Sequence, residues 1–448
     1  MRAREATLWD AVRSSYWFVP SVMVAGSIAL AAGAIWADRT CNLAAVPLIG
    51  HFGDPQTGAA GIRDLLSAVA GGMITIAGVT FSITIVALSL ASQEFGPHLL
   101  YNFMRDRGNQ VTLGTFIATF VYVVILLRAA DSEAFVPSLS ATVAVALTLA
   151  SVAVLVYFFQ HVSASLQADN VVAAVAANLN ITIGRTCGSG GRLSAGTECA
   201  VGESDGAAAP DEATGVQSDR SGYVQAVDER SLMEWAQAHD VTIRLRKRAG
   251  HFVVDGEVIA EFWPRRPIDD KAAGKLRECF VLGARRTYVQ DLEFGIEQLV
   301  EIAVRALSPG INEPFTAILC VDRIGEAVVR LARQGTAEPG RRDEHGRLRL
   351  ITDPPDFRGL VDTAFDQIRQ NVVPHVAVMV RMLDVIAIAA QFCRGDETRG
   401  PLLRQARLIL QLAERQVEEP QDLAAVRHRF EFAQLQLQPP DDRDAPPL

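Results

Sequence analysis

The chain has 448 residues, 49% of them hydrophobic, with a mean hydropathy of +0.18. That is too apolar for one soluble protein of this length and fits a membrane portion joined to a polar one. A net charge of -9 and an isoelectric point near 5.5 exclude the basic face that nucleic acid requires, so no nucleic-acid partner is expected.

Hydrophobicity is concentrated at the front. About 20 apolar residues cross the hydrocarbon core, and four stretches meet that length: 16 to 37, 65 to 91, 111 to 128 and 137 to 160. The first is not a cleavable signal, because its apolar run is too long and no small-residue cleavage site follows it. Arg2, Arg4, Arg13, Arg105 and Arg107 on one side outnumber Arg39, Arg63 and Arg128 on the other. The excess places both termini in the cytoplasm, with a short acidic outer loop around Asp131 and Glu133.

The second span, "GGMITIAGVTFSITIVALSLASQEF" from 71 to 95, carries two small-residue faces. Gly71, Thr75, Gly78, Ser82 and Ser89 form one, and Thr80, Thr84, Ala87 and Ala91 lie nearly opposite. Such faces let helices approach closely in lipid, while Ser and Thr bond across the contact or back to their own helix. The alternatives are tight packing in an oligomer or bundle, or a pore lined by Thr75, Ser82 and Ser89. Both faces cannot line one pore. No ionisable residue lies well inside any span, which argues against a proton-driven transporter and leaves a channel open.

After this span comes "SQEFGPHLLYNFMRDRGNQ", where Gly96 and Pro97 break the helix and Arg105, Asp106 and Arg107 form a charged turn. Phe95, Leu99, Leu100 and Phe103 suit a short interfacial helix; a gating elbow built on Gly96, Pro97, Arg105 and Arg107 is the functional reading.

The fourth span keeps an apolar helical period past its end, so residues 1 to 165 are read as a four-helix transmembrane domain and 166 to 186 as a helical stalk. Residues 187 to 219 are rich in Gly, Ser, Ala and acid without periodicity, a flexible low-complexity linker. From 220 to 265, β-branched alternation punctuated by Gly222, Gly250 and Gly256 predicts a small barrel-like β domain. Its Gly250 to Ile259 stretch resembles the hairpin of biotinyl/lipoyl-type barrels. Lys247 is not placed as an acceptor lysine, so an adaptor is favoured over a swinging-arm carrier. A helical domain follows over 266 to 440, with helical periods at 270 to 283, 286 to 307, 313 to 334, 357 to 371, 375 to 395, 399 to 416 and 420 to 435 and a hairpin at "HGRLRLITDP". Residues 441 to 448 are read as a disordered tail. The fold class is thus a mainly α membrane protein, four transmembrane helices followed by a cytoplasmic region with a small β domain and a helical domain.

Within the helical domain, "QDLEFGIEQLVEIAVRALSPGINEPFTA" ends one helix at Ser308, Pro309 and Gly310 and starts another at Asn312, Glu313 and Pro314, with Asn312 read as the N-cap. A helix N-terminus can hold an anion, which makes Ser308, Pro309, Gly310, Asn312 and Glu313 a candidate ligand loop for an unknown cytoplasmic ligand. Capping alone also explains these residues. Six cysteines show no zinc spacing, His161, His251 and His375 lack partners at metal spacing, and no GxSxG, Walker-type, HExxH or EF-hand motif occurs. No catalytic residue, metal or cofactor is expected.

The order of "SYWFVP", "GGMITIAGVTFSITIVALSLASQEFGPHLLYNFMRDRGNQ", "FVPSLS", "SGYVQAVD" and "QDLEFGIEQLVEIAVRALSPGINEPFTAI" resembles the bacterial family of predicted membrane proteins termed domain of unknown function 2254. The resemblance covers nearly the whole chain. It implies a multi-pass protein of the bacterial inner membrane and carries no activity to transfer. The leading expectation is a homo-oligomeric, channel-like protein with a cytoplasmic regulatory domain. The rival is a non-conducting scaffold or sensor.

Overall fold

The computed structural model describes residues 17–40, 58–96, 107–130, 138–187, 197–199, 213–266, 269–337 and 339–438, and the chain divides into two compact units, Met1–Asn170 and Val171–Leu448. The first holds α1 (Phe18–Thr40), α2 (Gly58–Phe95), α3 (Arg107–Ala129) and α4 (Ser138–Ser165). Among the described residues these four helices are long and apolar enough to cross a membrane. All four lie where apolar length predicts them. α2 has 38 residues, roughly 57 Å at 1.5 Å per residue, well beyond the about 30 Å of hydrocarbon it has to span.

α3 is the centre of this unit. It packs against α1, α2 and α4, and its Phe116, Tyr122, Val123 and Leu126 are wholly buried. Gly114 lets α1 come close: a Cβ there would sit 2.6 Å from Met23 Sδ and 3.2 Å from Pro20 Cα. Ser27 Oγ donates to the Ala118 carbonyl at 2.8 Å, and Thr119 and Ser151 hydroxyls meet at 3.1 Å. Two ionic side chains close helix ends. The Asp38 carboxylate accepts from the backbone N–H of Leu139 (3.0 Å) and Ser140 (2.9 Å) and from Ser140 Oγ, capping α4 from another helix. Arg63 Nη2 donates to the Ala130 carbonyl at 3.2 Å, past the end of α3. An anion at a helix N-terminus and a cation at a C-terminus satisfy the orphan backbone groups and the dipole together.

The apolar period running on from α4 is interrupted at Leu166 and Gln167, where Asn170 Nδ2 donates to the Ala164 carbonyl. α5 (Ala168–Thr186) then enters the second unit. Val172, Val175, Ala176, Leu179 and Ile183 form its buried stripe, at the i, i+3, i+4 spacing of one helix face.

The second unit contains two open sheets and eight further helices among the described residues. Strands β1 (Thr197–Cys199), β2 (Thr214–Gln217), β4 (Thr242–Leu245), β6 (Val258–Trp263), β8 (Gly340–Arg342) and β9 (Leu348–Ile351) form a six-stranded sheet in the order β1-β8-β9-β4-β6-β2, with only β4 and β9 parallel. β3 (Gly222–Val227), β5 (Phe252–Val253) and β7 (Phe280–Gly283) form an antiparallel sheet in the order β5-β3-β7. α6 (Glu229–His239) and α7 (Asp270–Glu278) cover them, and Leu232, Ile243, Ile259, Phe262, Leu276 and Leu350 share one core.

No closed barrel forms, which corrects the barrel-like expectation for 220 to 265. Gly250 and Gly256 do take the positive φ of turn residues, 94° and 82°. The strands on either side of Gly256 are not partners: β5 pairs with β3 and β6 with β2 and β4, so the expected hairpin is shared between two sheets. Alternation marks a strand as half-buried but does not name its partner. The helical period over 270 to 283 likewise ends at Glu278, and the last residues become β7 against β3. Two strands, β1 and β2, come from the stretch 187 to 219, and the hairpin at 345 to 354 is β8–β9 with Gly346 at φ 76°.

The remaining helices are α8 (Leu292–Ala306), α9 (Pro314–Gln334), α10 (Phe357–Asn371), α11 (Val376–Ala390), α12 (Asp396–Gln416) and α13 (Pro420–Gln436). α8 packs on α9 and α10, α9 and α13 on α11, and α12 on α10 and α13. α5 joins them: Thr182 Oγ1 donates to the Tyr288 carbonyl at 2.6 Å and Asn180 Nδ2 to Glu326 Oε1 at 2.9 Å.

Candidate functional site

The two small-residue faces of α2 have different surroundings. Thr80, Thr84 and Ala87 are buried with Met73 and Ala77, against Phe116 of α3 and Phe158 and Val162 of α4. Gly71, Thr75, Gly78, Ser82 and Ser89 are all exposed, and a Cβ at Gly71 or Gly78 would meet nothing within 4 Å. Two of the exposed hydroxyls are satisfied within their own helix. Thr75 Oγ1 donates to the Gly71 carbonyl at 2.8 Å and Ser82 Oγ to that of Gly78 at 2.9 Å. This face is therefore smooth, uncharged and open to whatever lies beside the single chain.

Of the elbow, Pro97 and Arg105 lie outside the described residues. Gly96 follows α2 with φ 100° and is buried; Arg107 opens α3 and is exposed.

The loop between α8 and α9 turns tightly. Ser308 Oγ donates to the Arg305 carbonyl at 2.6 Å, and the Glu313 N–H reaches back to Ala306 O at 2.7 Å. Asn312 is not the N-cap. It takes a left-handed φ of 54°, and Glu313 occupies the cap with Pro314 as first helical residue. The Glu313 carboxylate accepts from Thr316 Oγ1 at 3.1 Å, so the chain's own anion already stands at this helix start. Pro309, Gly310, Asn312 and Glu313 are exposed, and so are Ile311 (38%) and Phe315 (83%).

The acids Asp291, Glu293 and Glu297, which in the sequence read as a solvated face of this helix, instead form a charge network with arginines around the start of α8. Asp291 caps that helix through the Phe294 N–H (3.0 Å) and receives Arg286 Nε and Nη2 at 2.7 and 2.9 Å. Arg286 Nη1 reaches Glu297 at 2.5 Å, and Arg248 Nη2 holds both Glu293 oxygens at 2.9 and 3.0 Å. Burial raises the Glu297 carboxyl above its ordinary range, Arg286 opposing and Asp291 and Glu293 adding to it. Burial, with Arg248 next, holds His251 below the usual histidine value. Each acid here already has an arginine, so the network positions α8 and leaves no poised acid–base pair. Its signals in the sequence were the acids Asp291, Glu293 and Glu297 along the helix and the place of Asp291 one residue before the apolar helical period.

Burial also pushes the thiols of Cys279, Cys320 and Cys393 up, Cys279 to about 12, which makes them inert. Among the described residues no group of His, Cys, Asp or Glu is placed to hold a metal ion.

The family model for predicted membrane protein (DUF2254) matches residues 13–387, which takes in both the α2 faces and the α8–α9 loop. The chain belongs to this family. Relatives include uncharacterized proteins of Mycobacterium tuberculosis (strain CDC 1551 / Oshkosh) and Mycobacterium bovis (strain ATCC BAA-935 / AF2122/97). Each is 31% identical over 440 residues, covering 95% of this chain and 81% of the relative. No solved structure matches. Membership makes this a membrane protein with four apolar helices, in line with the resemblance seen in the motifs.

Proposed function

We propose that copies of this chain associate in the bacterial inner membrane, termini in the cytoplasm, into a channel-like assembly. The outer face of α2 lies at its centre, and the second unit regulates conduction from the cytoplasmic side. One observation carries this reading. The four-helix unit buries the Thr80, Thr84, Ala87 face and leaves the Gly71, Thr75, Gly78, Ser82, Ser89 face outside. In lipid, small residues gain nothing from facing acyl chains and much from a second helix, and a face of hydroxyls without charge suits a pore wall.

Purified protein in liposomes should pass ions or small solutes under voltage, tension or a pH step, and absence of flux under all three overturns conduction. Ser82→Leu and Thr75→Leu separate the roles. Altered flux with assembly intact supports a pore wall, whereas lost assembly supports packing alone.

The exposed Phe315 and Ile311 beside Glu313 favour a second reading, a scaffold or sensor whose second unit binds a protein or small ligand through the α8–α9 loop. Under that reading Phe315→Ser abolishes capture of the partner and leaves flux unaltered.

A further inference from the structure

The interior of the four-helix unit holds a polar layer that neither reading uses. Asn109 and Thr112 of α3 are 2% and 1% exposed, Thr80 of α2 is 2% exposed, and Asn109 Nδ2, Asn109 Oδ1, Thr112 Oγ1 and Thr80 Oγ1 find no hydrogen-bond partner on the protein. Thr84, also buried, donates to the Thr80 carbonyl at 2.8 Å.

These residues lie within one segment of the four-helix unit, bracketed by two packing levels. On a helix of 100° per residue, Asn109 and Thr112 project within about 40° of Phe116, which packs between α2 and α4 with Met73, Ala77 and Val154. Ala77 is thus level with Phe116, while Ala87 is level with Phe158 and Val162. A Cβ on Gly108 would come 2.5 Å from His161 Nε2, so the start of α3 lies at that same turn of α4. Thr80 and Thr84 fall between the two levels on α2, and Asn109 and Thr112 fall between them on α3.

The electrostatics of this layer are one-sided. α3 begins at Arg107, within a turn of Asn109. α1 runs parallel to α3, since Ser27 meets Ala118 and Met23 meets Gly114 at the same offset, so the start of α1 at Phe18 points to this level too. α2 and α4 run past the layer to Phe95 and Ser165, which carries their negative ends roughly 16 and 10 Å away at 1.5 Å per residue. Two helix N-termini and unpartnered amide and hydroxyl donors meet at this layer, the exposed Arg107 stands at the start of α3, and among the described residues the layer contains no carboxylate. That is the chemistry of an anion site, because N-terminal dipoles and neutral donors favour negative charge.

We propose that Asn109, Thr112 and Thr80 form an internal binding site for a small monovalent anion of the halide class. Asn109 Nδ2 and the two hydroxyls donate to the ion, and one retained water reaches Asn109 Oδ1. The site lies inside a single copy, so it stands apart from the pathway along the outer face of α2.

The test is the thermal unfolding midpoint of the full-length protein in detergent, in sodium chloride or bromide against sodium gluconate at equal ionic strength. The halides should raise the midpoint saturably, on the order of 3 °C at tenfold the half-saturating concentration. Asn109→Leu should remove this dependence while matching or exceeding the parent in gluconate, because an apolar side chain relieves a buried unpartnered amide. Thr112→Val and Thr80→Val should weaken the halide effect severalfold, and they serve where Asn109→Leu does not fold. Equal midpoints in halide and gluconate would mean that water alone fills the layer and would overturn the proposal. So would a halide effect that survives in all three variants, or one that tracks the cation when potassium replaces sodium.

Discussion

Gly295 of α8 lies directly against Leu179 of α5: a Cβ on the glycine would come 2.9 Å from Leu179 Cδ1 and 3.3 Å from Leu179 Cβ. The absent side chain is what lets the two helices touch. Gly295→Ala should already cost some stability, since its Cβ meets Leu179 Cβ at 3.3 Å as well as the Leu179 tip, and less than a larger residue would. Gly295→Val should destabilise the second unit by about 1–3 kcal/mol, the usual penalty of overpacking. Protease sensitivity at Arg185, on the exposed side of α5, compared between the two variants, checks this.

His251 gives a pH dependence with a definite sign. Its folded value lies below 6.5, through burial first, then Arg248, with Lys247 adding and Glu293 and Asp353 opposing. The folded state therefore holds that proton less tightly than the unfolded chain. The stabilising contribution is present above pH 6.5 and is lost as pH falls from there through the folded value. Melting midpoints should drop between pH 7 and 5.5, and His251→Gln should flatten that part of the profile. A drop of the same size in the variant would assign it to other groups.

Asp38 should matter more than a residue at the edge of a span suggests. Asp38→Ala strips the cap from Leu139, Ser140 and the Ser140 hydroxyl, and about 1–2 kcal/mol of stability should go with it. Asp38→Asn retains an acceptor and should recover part of the loss, read as the detergent composition at half-unfolding.

The two faces of α2 should respond oppositely to bulk. Ala77→Leu crowds Phe116 and Met73, so the single chain should lose about 1–3 kcal/mol. Gly78→Leu has open space and should leave the single-chain fold intact while reducing cross-linked oligomer. Unchanged cross-linking would remove the outer face from the interface between copies.

Much of this fold is legible wherever the determining interaction is local. Apolar length sufficed for α1 to α4, and periods at 313 to 334 and 420 to 435 match α9 and α13 to within a residue. What was lost is non-local. The strands near Gly250 and Gly256 were recognised by turn chemistry, but their partners lie up to about a hundred residues away, as Ile243 against Leu350 illustrates. The cap before α9 moved from Asn312 to Glu313 because the left-handed turn before it is set by the preceding helix end. For the candidate site, spacing separated the two faces of α2, yet only α3 and α4 decide which one is covered. The burial of Asn109 and Thr112 comes from the helices packed around α3, none of them adjacent in sequence.

The sharing of residues 252 to 263 between two sheets has a consequence for how the chain is made. A turn from Val254 to Glu257 ties β5 in one sheet to β6 in the other, and β4, the neighbour of β6, completes its other edge only with β9. During synthesis from the N-terminus, the β4 edge stays bare until Leu350 and Ile351 have left the ribosome. A chain cut anywhere before Ile351 would keep that edge, with Ile243 and Leu245 beside it, open to any strand it meets.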